Sequence, residues 1–100
     1  MEVAKNESLE RLFETVASLR SAEECRMLFE DMCTVNEIRD MSQRLDAAFL
    51  LSKGMPYLDI VKKVGISTAT ISRVSRSLNY GSGGYKLVIS RAEEEKSNDA

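Results

Sequence analysis

Pro56-Tyr57-Leu58-Asp59-Ile60-Val61-Lys62-Lys63-Val64-Gly65-Ile66-Ser67-Thr68-Ala69-Thr70-Ile71-Ser72-Arg73-Val74-Ser75-Arg76-Ser77-Leu78 is the most informative run in the chain. Leu58, Ile60, Val61 and Val64 predict a short amphipathic helix, with Pro56 suited to its first position. Val64-Gly65-Ile66-Ser67 predicts a tight turn. Ser67 then caps a second helix whose apolar stripe is Ile71, Val74 and Leu78. Two short helices joined by a glycine turn, the second one basic, predict a helix-turn-helix.

The charge of the chain is divided along its length. The whole carries −2, but residues 1–52 hold six Lys and Arg against eleven Asp and Glu, a net of −5. Residues 53–80 hold five basic side chains and one acidic, Asp59, a net of +4, and residues 81–100 return to −1. A basic segment inside an acidic chain points to a localised anionic partner. From charge alone, a solvated face is an equal alternative. The composition of the second helix favours the partner. Its first turn, Thr68-Ala69-Thr70, has small side chains that let a backbone approach a groove, and its free N–H groups attract phosphate. Ala69 and the threonine methyls can touch a thymine methyl, and hydroxyls can bond base edges. Arg73 and Arg76 can reach phosphate or guanine, and Lys62 and Lys63 can hold backbone. No acidic residue interrupts this helix, which is unusual for a merely solvated surface.

Upstream, the periodicity is helical throughout. Leu9, Leu12, Phe13 and Val16 follow helical spacing, with Ser8 as the expected N-cap. Ser21-Ala22-Glu23-Glu24 is a capping box that opens a stripe of Cys25, Leu28, Phe29, Met32 and Cys33. Thr34-Val35-Asn36-Glu37 is a second capping box. It opens the longest helix, with Ile38, Met41, Leu45, Ala48, Phe49 and Leu51, which stops at Gly54. These helices carry more bulky apolar surface than one chain can cover, so a helical dimer core is expected. Downstream, Asn79-Tyr80-Gly81-Ser82-Gly83-Gly84 ends the second helix of the pair, with Asn79 or Gly81 able to take a positive φ. Tyr85–Ile89 reads either way, Arg91–Lys96 favours a short terminal helix, and Ser97–Ala100 should fray. The organisation is one domain: residues 1–54 for dimerisation, 55–80 the helix-turn-helix, 81–100 a glycine joint and tail.

With apolar residues at 43% and charged residues at 30%, the chain has the balance of an ordinary globular domain, not of a disordered one. It has no apolar run long enough to span a membrane. Met1-Glu2-Val3-Ala4-Lys5 lacks a signal-peptide core, so the expected location is cytoplasmic. Two cysteines and no histidine cannot supply a Cys/His zinc set. Cys25 and Cys33 lie about 12 Å apart along one helix, too far for a disulfide, and read as buried structural thiols. Lacking histidine, a metal set and a phosphate loop, the chain offers no catalytic pair, and an enzyme is not expected.

The run Thr68–Gly81 resembles the recognition helix of Trp-repressor-like proteins, in particular the YerC/YecD type. Glu24-Cys25, Phe29-Glu30-Asp31, Asn36-Glu37-Ile38 and Gln43-Arg44-Leu45 are similar to that branch as well. The resemblance runs from about Leu9 to Tyr85. It implies an all-α, intertwined homodimer whose helix-turn-helix units form two reading heads on double-stranded DNA. By position, Thr68, Ala69 and Ser72 match base-facing residues, and Thr70 and Lys62 match phosphate contacts. The Lys62 match is looser, because this chain is one residue shorter between Gly54 and Gly65.

The same resemblance raises an effector pocket. The tryptophan-binding repressors of the family grip L-tryptophan between two arginines, which match Arg44 and Arg73, with Thr34 and Ser77 matching the nearby hydroxyls. Val74 stands where those repressors carry glycine. Overfilling a tight site costs about 1–3 kcal/mol, so L-tryptophan is disfavoured and no cofactor is expected. Val74 then fills its own pocket, Arg44 becomes a structural residue or a salt-bridging one with Asp40 or Asp46, and Thr34 serves as an N-cap. The function expected is a sequence-specific DNA-binding transcriptional regulator. It is more readily a repressor, since no part of the chain is left over to recruit a polymerase. A helix-turn-helix interaction module with weak DNA binding is the alternative, favoured slightly by the net charge and by Glu93-Glu94-Glu95.

Overall fold

The computed structural model describes residues 6–99. Met1–Lys5 and Ala100, where the readings of the chain start and of the final frayed residue fall, lie outside them. The elements are α1 (Glu7–Ala17), α2 (Ala22–Met32), α3 (Val35–Ser52), α4 (Tyr57–Val64), α5 (Thr68–Tyr80) and α6 (Gly84–Asp99). Among the described residues every regular element is a helix, as the periodicity predicts.

Local chemistry sets most of the helix ends. Asn6, not Ser8, caps α1: its Oδ1 accepts the Leu9 N–H at 2.9 Å, which places Ser8 inside the first turn. Ser21 Oγ accepts the Glu24 N–H at 3.1 Å, and Glu24 Oε1 accepts the N–H of Arg20, one residue before the cap, at 2.8 Å. The Thr34 box is fully reciprocal: Thr34 Oγ1 accepts the Glu37 N–H at 3.1 Å, and Glu37 Oε1 accepts the Thr34 N–H at 2.8 Å. At the end of α3, Gly54 takes φ +82°, and the N–H groups of Met55 and Gly54 reach back to the carbonyls of Leu50 and Leu51. That is a Schellman ending, which a left-handed glycine permits. Pro56 sits one position earlier than expected, as the N-cap of α4: its ψ of 150° is extended, not helical.

Two compact units divide the chain, with the boundary inside α3 between Arg39 and Asp40. In the first, neither α1 nor α2 has a buried residue. Phe13 is 55% exposed and Met27 60% exposed. Cys25 and Cys33 are free and half-buried, less enclosed than the sequence suggests.

The second unit has a true core of Ala47, Ala48, Ile60, Ile71, Val74 and Ile89. Ala47 and Ala48 are fully buried, and their small side chains let neighbouring helices approach the α3 backbone. The apolar stripe read from α3 is therefore partly displaced. Ala47 joins the core, while Met41 and Leu45 stay exposed. Gln43 Nε2 donates to the Val64 carbonyl at 3.4 Å, which gives an end carbonyl of α4 a partner on α3.

The terminal helix is longer than expected. α6 runs for 16 residues, through Ser97 to Asp99, where fraying was predicted. Ile89 is buried, and Tyr85 and Ala92 are half-buried beside it at helical spacing. This inward face fixes the ambiguous Tyr85–Ile89 run as helix. The joint before it also differs from expectation. Neither Asn79 nor Gly81 has a positive φ; Gly83 does, at +93°. Gly81 is required for a different reason, since a Cβ there would strike the Ser77 carbonyl oxygen.

Candidate nucleic-acid interface

The helix-turn-helix is built from its turn outward. Gly65 takes φ +82° at the end of α4, where its N–H bonds the Val61 carbonyl. A side chain there would be strained in this left-handed conformation. Two residues later Ser67 caps α5, its Oγ accepting the Thr70 N–H at 3.1 Å. Ile60 of α4 and Ile71 of α5 are both fully buried, and α4 packs on α5. These two isoleucines hold the angle of the pair from beneath.

The outer face of α5 follows from its inner one. With Ile71 and Val74 buried and Leu78 half-buried, helical geometry turns Thr68, Ala69, Ser72, Arg73 and Arg76 to solvent, and all five are exposed. Thr70 is half-buried and sits at the edge of this face. Its Oγ1 lies 3.0 Å from Ser67 Oγ, so the two hydroxyls share a hydrogen bond. Spacing alone did not single out that pair, although Ser and Thr at i, i+3 across a helix start are its signature. Lys62 is exposed in the last turn of α4, with Lys63 beside it. Thus the residues read as DNA contacts fall on two consecutive helices of one unit, and the α5 members share one face. α5 contains no carboxylate and has no acidic residue in its first turn, so nothing on this helix neutralises Arg73 and Arg76.

The residues of the effector reading have other surroundings. Thr34 lies in the first unit, and its hydroxyl and N–H are engaged in the capping box with Glu37. Two hydrogen bonds from Thr34, the backbone one first and the side-chain one second, hold the Glu37 carboxyl below its usual value. Arg44, Arg73 and Ser77 belong to the second unit and are exposed. The sequence offers Arg44 a structural role or a salt bridge to Asp40 or Asp46. Among the described residues Arg44 forms no ion pair with either. Val74 is 2% exposed and lies in the core with Ile60 and Ile71. The described residues include no group of three His, Cys, Asp or Glu side chains placed to hold a metal, and no helix long and apolar enough to cross a membrane.

This arrangement matches a known family over nearly its whole length. The sequence profile described as Trp repressor protein matches residues 7–93. The chain belongs to the Trp repressor family. Its relative YerC of Bacillus subtilis, a protein described as uncharacterized, is 42% identical over 96 residues, covering 96% of this chain and 92% of that one. A crystal structure of a TrpR-like protein from Eubacterium eligens is 49% identical, with a TM-score of 0.86, covering 89% of this chain and 92% of that chain. The six helices therefore have the Trp-repressor-like fold, and the family is one of helix-turn-helix regulators.

Proposed function

We propose that this Trp repressor family member is a sequence-specific DNA-binding transcriptional regulator that acts as a homodimer and needs no L-tryptophan. The observation that carries this reading is the exposed, carboxylate-free face of α5 behind a capped helix-turn-helix. Thr68, Ala69 and Ser72 face the bases, Thr70 and Lys62 hold phosphate, and Arg73 and Arg76 contact phosphate or guanine. The dimer reading draws on the apolar faces of α1–α3, which one chain leaves uncovered. In it, residues 1–54 form the shared core and 55–80 the reading heads. Two heads related by a twofold axis fit an inverted repeat with half-sites one helical turn apart, about 34 Å. Repression asks only that the operator be occupied, so it needs no further surface.

Independence from tryptophan is supported by Val74. A fully packed valine supports α5 from below without a ligand, and the valine side chain takes the room that a glycine would leave for an indole ring.

Fluorescence anisotropy on duplexes from the upstream region of the protein's own gene tests the reading. It is run at two salt concentrations, with and without L-tryptophan. Expected is tight binding without ligand that weakens steeply with salt. Arg73→Ala and Arg76→Ala should each weaken it and reduce the salt slope by about one. Binding only in the presence of tryptophan would instead assign Arg44 and Arg73, with Ser77 and Thr34, to a working corepressor clamp. Absent or salt-insensitive binding would favour a protein-interaction module.

A further inference from the structure

Tyr80 is 86% exposed, more than any other large apolar or aromatic side chain among the described residues. Its ring lies on the last turn of α5, and its hydroxyl has no partner among the described residues. Helical spacing puts it on the same face as the basic residues. It is one turn beyond Arg76 and two turns beyond Arg73, on the side opposite Ile71 and Val74. An aromatic ring in line with two arginines, on a helix without a carboxylate, is a surface suited to a polyanion, and the DNA-binding reading above names that polyanion.

Distance along the helix decides which part of the polyanion it meets. Tyr80 stands about 16 Å of axial rise beyond Ala69. The major groove of B-DNA is only about 8.5 Å deep. A helix that enters the groove with its N-terminal end, its first turn on the base edges, therefore carries its last turn out to the groove rim. There only sugar and phosphate are within reach.

We propose that Tyr80 contacts the sugar–phosphate backbone flanking each half-site, its hydroxyl donating to a phosphate oxygen next to the strand held by Arg76. This inference rests on the DNA-binding reading above. It adds a contact that lengthens the footprint without adding base specificity, because every flank presents the same phosphodiester.

The test compares the wild-type chain, Tyr80→Ala and Tyr80→Phe by anisotropy on two duplexes. One has long flanks; the other is trimmed to the two half-sites. On the long duplex Tyr80→Ala should bind about fivefold to tenfold more weakly, and Tyr80→Phe should lose most of the same amount. On the trimmed duplex all three should bind alike, and the wild-type chain should bind it less tightly than the long one. Unchanged circular dichroism and melting temperature in both variants exclude a folding defect as the cause of a loss. Equal losses on both duplexes would overturn the proposal, since Tyr80 would then act through the fold. No loss on either would also overturn it and would leave Tyr80 as a surface for a protein partner. Failure of the wild-type chain to bind either duplex would bring down the DNA-binding reading itself, and this contact with it.

Discussion

The side chain at position 74 carries two consequences. The resemblance to tryptophan-binding repressors places a glycine there, while this chain places a valine that is 2% exposed between α5 and the rest of the second unit. Val74→Gly removes a buried side chain and adds a glycine to a helix interior, so it should destabilise the protein by about 2–4 kcal/mol in urea unfolding. The same variant tests the lost pocket. If Val74 alone occupies the ring site, saturating L-tryptophan should raise the melting temperature of Val74→Gly and leave the wild-type chain unchanged. A shift in neither would mean that the exposed Arg44 and Arg73 do not make a clamp even when room exists. Both the replacement and the burial were legible in the sequence, because Val74 lies at helical spacing from Ile71 and Leu78; that it shares a core with Ile60 and Ala48 was not.

Among the elements, the start of α3 and the end of α5 respond in measurable ways. Glu37 is held below its ordinary carboxylate value by Thr34, so the charged form is favoured in the folded state. A depressed folded value means that the capping box contributes stability above about pH 4.3 and loses it as pH falls through the lowered value. The melting temperature of wild-type protein should therefore drop more between about pH 5 and 3 than that of Glu37→Gln, which has no charge to lose. The carboxyl is fully exposed, so the difference should be small. Thr34→Ala, which removes the cap itself, should cost about 1 kcal/mol at neutral pH. At the other end, Gly81→Ala forces a Cβ against the Ser77 carbonyl oxygen. The backbone must shift to relieve it, and a loss of about 1–3 kcal/mol is expected in thermal or urea unfolding. The capping boxes were readable because their residue types and spacing are themselves the interaction. The sequence offers Gly81 only as a residue able to take a positive φ; its close approach to a carbonyl four residues back has no signature in sequence.

For the whole molecule, the imbalance between the two units is the main fact. The second has fully buried alanines and isoleucines, while α1 and α2 bury nothing completely in the single chain. Large apolar side chains left exposed on α1–α3, Phe13, Met27, Met32 and Leu45 among them, favour association with a second copy. Sedimentation equilibrium should give twice the 11.2 kDa chain mass, and the melting temperature should rise with protein concentration. Leu45→Glu puts a charge on the exposed stripe of α3, where Leu45 is 40% exposed, and should shift the equilibrium toward monomer. A monomeric wild-type chain with a concentration-independent melting temperature would refute the dimer.

What the sequence determined by itself is whatever depends on neighbours within a turn or two. That includes the helical class, the capping boxes at Ser21 and Thr34, the glycine stops at Gly54 and Gly65, and the exposed face of α5. Each rests on spacing along the backbone, and spacing survives without knowledge of what packs against it. The tertiary structure decided the rest. It recruited Ala47 to the core in place of Met41 and Leu45, because small side chains are what allow helices to meet closely. It made Tyr85–Ile89 helical, since Ile89 has a core to enter. It left the ring of Tyr80 86% exposed, because spacing sets the side of α5 that Tyr80 occupies but only the packing decides whether another element reaches over its last turn.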